Sequence, residues 1–222
     1  IFMIYPGMYK LKDPSVFSAI EAEIQSEIDS LGDLSQYNNA LDLPADFDVD
    51  NEFSMETLAA IEASESIPAA LSRLVTYGED DDTSVNPQIQ NINKLGWKYY
   101  NFFAATRGLA CPSMVNDMRF FPANGFIGLH NNYSTAEYWI LSISWTESDN
   151  GFDYIYHEVD NNEMKQSSTS QGFNYRIYNC PDPEHGKLYQ GRKASANSFE
   201  WQISLGRKVC QRICQDWRGL RV

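Results

Sequence analysis

The sequence predicts an α+β protein, and three observations carry that reading. The first 95 residues place apolar side chains at helical spacing, whereas from Trp97 onward short aromatic and β-branched runs are broken by Gly, Asn, Asp and Pro. The charge changes at the same boundary. Residues 1–95 hold 18 Asp and Glu against 4 Lys and Arg, a net of −14; residues 96–222 hold 12 against 13, a net of +1. The chain therefore divides into an acidic helical portion (1–95) packing on the core, a sheet-rich domain (96–206) and a basic tail (207–222).

The first helix is expected to start at Asp13-Pro14, where an N-cap carboxylate precedes a proline whose fixed φ suits a first helical position. Phe17, Ile20, Ile24, Ile28 and Leu31 then recur on one face, and Gly32 ends it. A linker rich in Asp, Asn and Pro runs from Gly32 to Asp50. Two further helices are expected over Met55–Ala63 and Pro68–Tyr77. The acidic run Glu79-Asp80-Asp81-Asp82 reads as a loop and lacks the Asp-x-Asp-x-Asp-Gly spacing that wraps calcium. Asn86-Pro87 opens a short helix through Ile89, Ile92 and Leu95, with Gly96 as its stop.

In the second half, Trp97–Phe103 reads as a strand by aromatic content, followed by Met118–Phe121, a Pro122-Ala-Asn-Gly125 turn and Phe126–His130. Further strands are expected over Glu137–Trp145, Gly151–His157 and Phe173–Tyr178, separated by the polar stretches Asp160–Asn162 and Ser167–Ser170.

Composition narrows the classes. A chain of 222 residues with 43% hydrophobic and 14% aromatic content can bury a substantial core. No apolar run approaches the roughly 20 residues of a membrane-spanning helix, and the opening Ile1-Phe-Met-Ile-Tyr5 has neither the length nor the basic start of a signal peptide. The chain does not begin with Met, so residues before Ile1 are expected. Cys111, Cys180, Cys210 and Cys214 contain no Cys-x-x-Cys pair and read as free thiols. The net charge of −13 argues against a nucleic-acid binder. No Gly-x-Ser-x-Gly elbow and no phosphate-binding Gly-rich loop occurs.

The stretch Met118–Asn132, MRFFPANGFIGLHNN, is the most distinctive in the chain, because it ends a strand on a lone His after a Gly-containing turn. Arg119, Phe120, Pro122, Gly125-Phe-Ile-Gly128, His130 and Asn132, with Tyr138–Trp145, Phe173–Tyr178 and Trp201–Gly206, resemble phage-encoded proteins of the 2-oxoglutarate and Fe(II)-dependent oxygenase superfamily. The resemblance covers roughly the second half of the chain. It implies a double-stranded β-helix, a form of jelly roll, and a metal site at His130, Asn132 and Gln190.

Three of the implied positions depart from the family's chemistry. Asn132 stands where a carboxylate ligand is expected, Gln190 where the distal His is expected, and Gln202 where an arginine would pair with 2-oxoglutarate. Arg207, just beyond that strand, is the substitute cosubstrate anchor, with Arg192 a second choice; His185 and His157 are the other imidazoles open to recruitment. Asp153 and Glu158 are expected to face solvent. The resemblance thus implies a catalytically degenerate oxygenase-like jelly roll with no cofactor, serving as a structural or interaction component of a phage virion, located in the virion or the host cytoplasm. The alternative it leaves open is an active dioxygenase using Fe(II) and 2-oxoglutarate. Its expected partners are other protein subunits, with no direct nucleic acid and no membrane. The helical front and the basic tail are the surfaces expected to touch them; residues 187–222, which include the tail, hold 8 Lys and Arg against 2 Asp and Glu.

Overall fold

A computed structural model describes residues 8–11, 13–38, 40, 42–64, 70–77, 87–107, 118–131, 138–180, 188–206 and 220–221. In chain order the elements are β1 (Met8–Lys10), α1 (Ser18–Leu31), α2 (Met55–Ala63), β2 (Ser72–Arg73), β3 (Val75–Tyr77) and α3 (Pro87–Arg107). Eight longer strands follow: β4 (Met118–Phe121), β5 (Phe126–His130), β6 (Tyr138–Thr146), β7 (Phe152–Glu158), β8 (Glu163–Ser168), β9 (Gly172–Cys180), β10 (Gln190–Ala194) and β11 (Ser198–Gly206). A short β12 (Leu220–Arg221) completes them.

Strand pairing defines the architecture. β7 pairs with β8, β6 with β9, β5 with β10 and β4 with β11, all antiparallel. The eight strands are therefore one long hairpin, four strands out and four back, with its tip between β7 and β8. Successive pairs fall in opposite sheets, and the turns of the winding are stitched by β6 against β11 in one sheet and β7 against β10 in the other. This is a double-stranded β-helix. The larger sheet is extended at one edge by β1 and β12 and at the other by β3, while β2 adds to the smaller sheet beside β5.

Each sheet carries a helical or irregular cover on its outer face, which is why the central strands are buried on both sides. Along β11, Phe199, Trp201 and Ile203 alternate with Ser198, Glu200 and Gln202, and all six are buried. The apolar set packs with Phe17, Ile24, Ile28 and Leu31 of the α1 region and with Ile89, Ile92 and Tyr99 of α3. Each such side chain contributes about 1.5–3 kcal/mol when removed from water. Polar clips fix α1 on the sheet: Tyr175 donates to Glu21 (2.7 Å), Trp145 Nε1 donates to Gln25 (2.7 Å), and Lys98 of α3 pairs with Glu23. On the smaller sheet, Phe126, Ile155 and Tyr189 are covered by Phe53 and Leu58.

α1 ends at Gly32 and α2 spans Met55–Ala63 as expected, but α1 does not start at Asp13-Pro14: a short 3-10 turn (Ser15–Phe17), tied by Ser15 N–H to Asp13 Oδ1 at 3.0 Å, comes first, and the α-helix begins at Ser18. α2 is capped by Ser54 Oγ accepting from Thr57 N–H at 3.1 Å. The turn between β4 and β5 places Asn124 at φ 65°, the left-handed region that Asn tolerates.

Two further expectations are corrected. Trp97–Phe103 is helix, because α3 runs on from Pro87 to Arg107 and keeps Ile89, Ile92, Gly96 and Tyr99 on the face toward the sheet. Gly96 is thus no stop. It lies against the Trp201 indole, where an added Cβ would come within 2.5 Å of Cδ1. The second correction concerns Pro68–Tyr77. Ser72–Arg73 and Val75–Tyr77 are strands that bridge from the smaller sheet to the larger, in keeping with the β-branched and aromatic residues of Val75-Thr-Tyr77. Four strands had no sequence expectation at all: the short β1 and β12, β8, whose residues Glu163-Met-Lys-Gln-Ser-Ser168 are mostly polar, and β10. The acidic run 79–82, like Cys111, Cys210 and Cys214, lies outside the described residues.

Candidate functional site

The inner faces of the two sheets enclose a layer that is polar to an unusual degree for a protein interior. Arg176, Arg192, Glu200, Gln190, Gln202, Ser142, Ser144 and Asn174 are all buried there, beside Tyr154 and Tyr178. Charged groups persist in such a place only when paired or hydrogen-bonded.

β5 and β10 bring His130 and Gln190 together as direct register partners. A register shift between Gln190 and Arg192 follows, and Gly191 is required at it: a Cβ there would meet the Phe53 ring at 2.5 Å and the Ile127 carbonyl at 2.7 Å. Arg192 lies on the inner face, 1% exposed. Its Nε donates to Glu200 Oε1 (2.9 Å) and its Nη1 to Gln190 Oε1 (2.9 Å) and the Gly191 carbonyl (2.9 Å). The guanidinium also sits 4.2 Å over the Tyr154 ring.

Glu200 of β11 is the hub. It is fully buried, and its Oε1 accepts from Arg192, from Ser142 Oγ (2.6 Å) and from Gln202 Nε2 (3.2 Å). Because Ser142 gives its hydrogen to the carboxylate, Tyr154 O–H donates to Ser142 Oγ at 2.8 Å. Arg119 Nη1 of β4 lies 3.9 Å from Glu200 Oε2. Burial alone would push the Glu200 carboxyl up, but Arg192, Arg119 and the Ser142 and Gln202 hydrogen bonds together hold it below its ordinary value. Burial lowers the proton affinity of Arg192 most, but Glu200, Tyr178 and Tyr154 together more than restore it, so both partners are ionised.

His130 is fixed in one tautomer. Its Nδ1 is 2.9 Å from the Gly128 carbonyl, which can only accept, so Nδ1 carries the hydrogen and Nε2 the lone pair. Burial, then the positive charges of Arg192 and Arg119, lower its pKa to about 4, against opposing contributions from the Gly128 bond and Glu200. His130 Nε2, Arg119 Nη1, Arg192 Nη2 and Glu200 Oε2 are all shielded from solvent and have no hydrogen-bond partner among the described residues.

Of the expected site residues, then, His130 and Gln190 are brought together, while Asn132, Arg207 and His185 lie outside the described residues. Gln202 lies on the inner face and serves Glu200. His157 stands apart, with Nε2 at 3.0 Å from Asn162 Oδ1. Asp153, expected at the surface, is buried, because β7 is covered on both faces; Glu158 is half-buried. Glu200 was missed. Its signal was present as the alternation Ser198, Glu200, Gln202 against Phe199, Trp201, Ile203. Among the described residues no group of three His, Cys, Asp or Glu side chains is placed to hold a metal.

No protein-family model matches the chain, and no curated protein matches it. Solved structures with a similar course include a Pseudomonas putida prolyl-4-hydroxylase, at 11% identity and a TM-score of 0.39 over 91% of this chain and 94% of that one. A 2OG-Fe(II) oxygenase-family oxidoreductase from Burkholderia pseudomallei matches at 14% identity and 0.38 over 83% and 89%, and OsALKBH1 at 14% and 0.41 over 91% and 99%. At such low TM-scores these are likenesses only; the fold assignment rests on the strand pairing.

Proposed function

We propose that this chain is a catalytically degenerate, oxygenase-like double-stranded β-helix that serves as a structural or interaction component and meets other protein subunits in an assembly such as a phage virion. The observation that supports it is the Glu200–Arg192–Gln190 network. Fe(II) favours neutral nitrogen and anionic oxygen donors with open positions beside them. Here the amide oxygen of Gln190 is engaged by Arg192, and Oε1 of Glu200 already accepts from three side chains. Two guanidiniums stand near the remaining imidazole, and the burial and positive charges that disfavour a proton on His130 Nε2 also disfavour a dication there. The described donor set therefore does not fit Fe(II).

A second reading, the active dioxygenase, has one observation in its favour: the His130 tautomer leaves Nε2 free in the way a metal ligand requires. Anaerobic titration of the protein with Fe(II) and 2-oxoglutarate separates the two. We expect no visible charge-transfer band at millimolar iron, and a band that disappears in His130→Ala would overturn the degenerate reading. For the assembly, the charge asymmetry between the acidic front and basic end supports contacts between neighbouring copies or subunits.

A further inference from the structure

We propose that the outer edge of β8 is a homotypic interface, on which a second copy of this chain lays its own β8 antiparallel, so that the smaller sheet continues through a two-fold axis. The inference rests on the assembly reading above and names its surface and partner. A sheet edge is a row of unpaired N–H and C=O groups, which natural proteins blunt with very short strands, proline or bulges. Among the described residues, three of the four edge strands are blunted by length: β2 and β12 have two residues each and β3 has three. β8 is the exception. It runs six residues in unbroken register with β7, with neither proline nor bulge.

The direction of its backbone groups follows from its neighbours. His157 N–H donates to the Tyr189 carbonyl, on the β10 side of β7, whereas Thr169 N–H, just past β8, donates to the Phe152 carbonyl of β7. Alternation then turns the N–H and C=O groups of Glu163, Lys165 and Ser167 to β7, and those of Met164, Gln166 and Ser168 to the open edge.

Charge and register select the occupant. The chain carries −13, so two copies repel over most of their surface, but β8 holds one acid and one base, Glu163 and Lys165, which pair with each other. A two-fold axis through Lys165 would set like charges face to face. An axis through Gln166 sets Met164 against Ser168 of the second copy, Lys165 against its Ser167 and the two Gln166 amides against each other, with no like charges directly opposite. The Ser168 carbonyl accepts from Arg176 Nη2 at 3.2 Å and keeps a second lone pair for the incoming strand. Met164 already packs on the Phe53 and Leu58 cluster, so the apolar cover of the smaller sheet reaches the joint.

The test is sedimentation equilibrium of the whole protein at high salt, which screens both the net charge and any contacts of the basic tail. A concentration-dependent dimer is expected. Gln166→Pro removes an N–H that points outward and leaves the ladder with β7 whole, so it is expected to weaken the dimer on the order of tenfold or more with the unfolding temperature of the monomer unchanged. A second variant does not depend on proline being tolerated. Gln166→Cys, on the axis, is expected to give a disulfide-linked dimer on oxidation beyond any that the parent protein forms, whereas Ser168→Cys, whose two copies stand far apart across the axis, is not. A dimer that Gln166→Pro leaves at full strength, or a cross-link that forms as readily at Ser168 as at Gln166, overturns the β8 interface and leaves the assembly reading standing. A protein that is monomeric at every concentration overturns the interface together with contacts between copies of any kind.

Discussion

Glu200 makes the sharpest single-residue prediction. Removing one member of a buried ion pair leaves the other charge uncompensated, at about 3–5 kcal/mol, so Glu200→Ala should lower the unfolding free energy measured in urea by that much, while Glu200→Met with Arg192→Met together should recover most of the loss. His130 gives a pH dependence whose sign follows from its lowered pKa. The unfolded imidazole, near pKa 6.5, binds a proton that the folded one refuses until about pH 4, so stability is full above the unfolded value and falls as pH drops from about 6.5 to 4. Urea midpoints measured across that window should decline, and His130→Gln should flatten the decline. Glu200, also held below its ordinary value, adds a further loss only at lower pH, as it is protonated. At this scale the sequence revealed that β11 is half polar, but not that the polar half faces inward. That depends on α1 and α3 covering the other face, a tertiary fact no local pattern carries.

At the scale of elements, α3 shows spacing overriding composition. Trp97, Tyr99, Tyr100, Phe102 and Phe103 are residues that favour strands, yet Ile89, Ile92, Gly96 and Tyr99 continue one helical face onto Trp201. Gly96→Ala tests this directly. Alanine should gain about 1 kcal/mol in helix propensity, but its Cβ would fall 2.5 Å from a fully buried indole, and overpacking of that kind costs about 1–3 kcal/mol. We expect net destabilisation in chemical denaturation, where an ordinary exposed helical glycine would give the opposite. The short strands β2 and β3 were not legible because two- and three-residue strands take their conformation from the edges they join. β8 escaped for a related reason: a polar strand at a sheet edge has too little alternation to stand out from a loop.

For the molecule as a whole, the α+β class was readable from periodicity, while the double-stranded β-helix came from the resemblance of Met118–Asn132 and the strands after it. The pairing of β4 with β11 and β5 with β10 could not be read locally, since each joins segments far apart in the chain. The charge division carries its own prediction. If the basic tail meets acidic surfaces of neighbouring subunits, deleting residues 207–222 should lower the assembled mass measured by light scattering, and raising salt should do the same. An unchanged mass would remove the tail from the interface.

The long hairpin also sets an order in time. As the chain emerges from a ribosome, β4, β5 and β6 appear first, yet their partners β11, β10 and β9 appear in the reverse sequence. Only the tip, β7 with β8, can close as soon as it is made; β4 has the short β3 beside it and waits for β11, the last of the eight. Half of the barrel must therefore stand with open edges during synthesis, and the strand that is made earliest is sealed last.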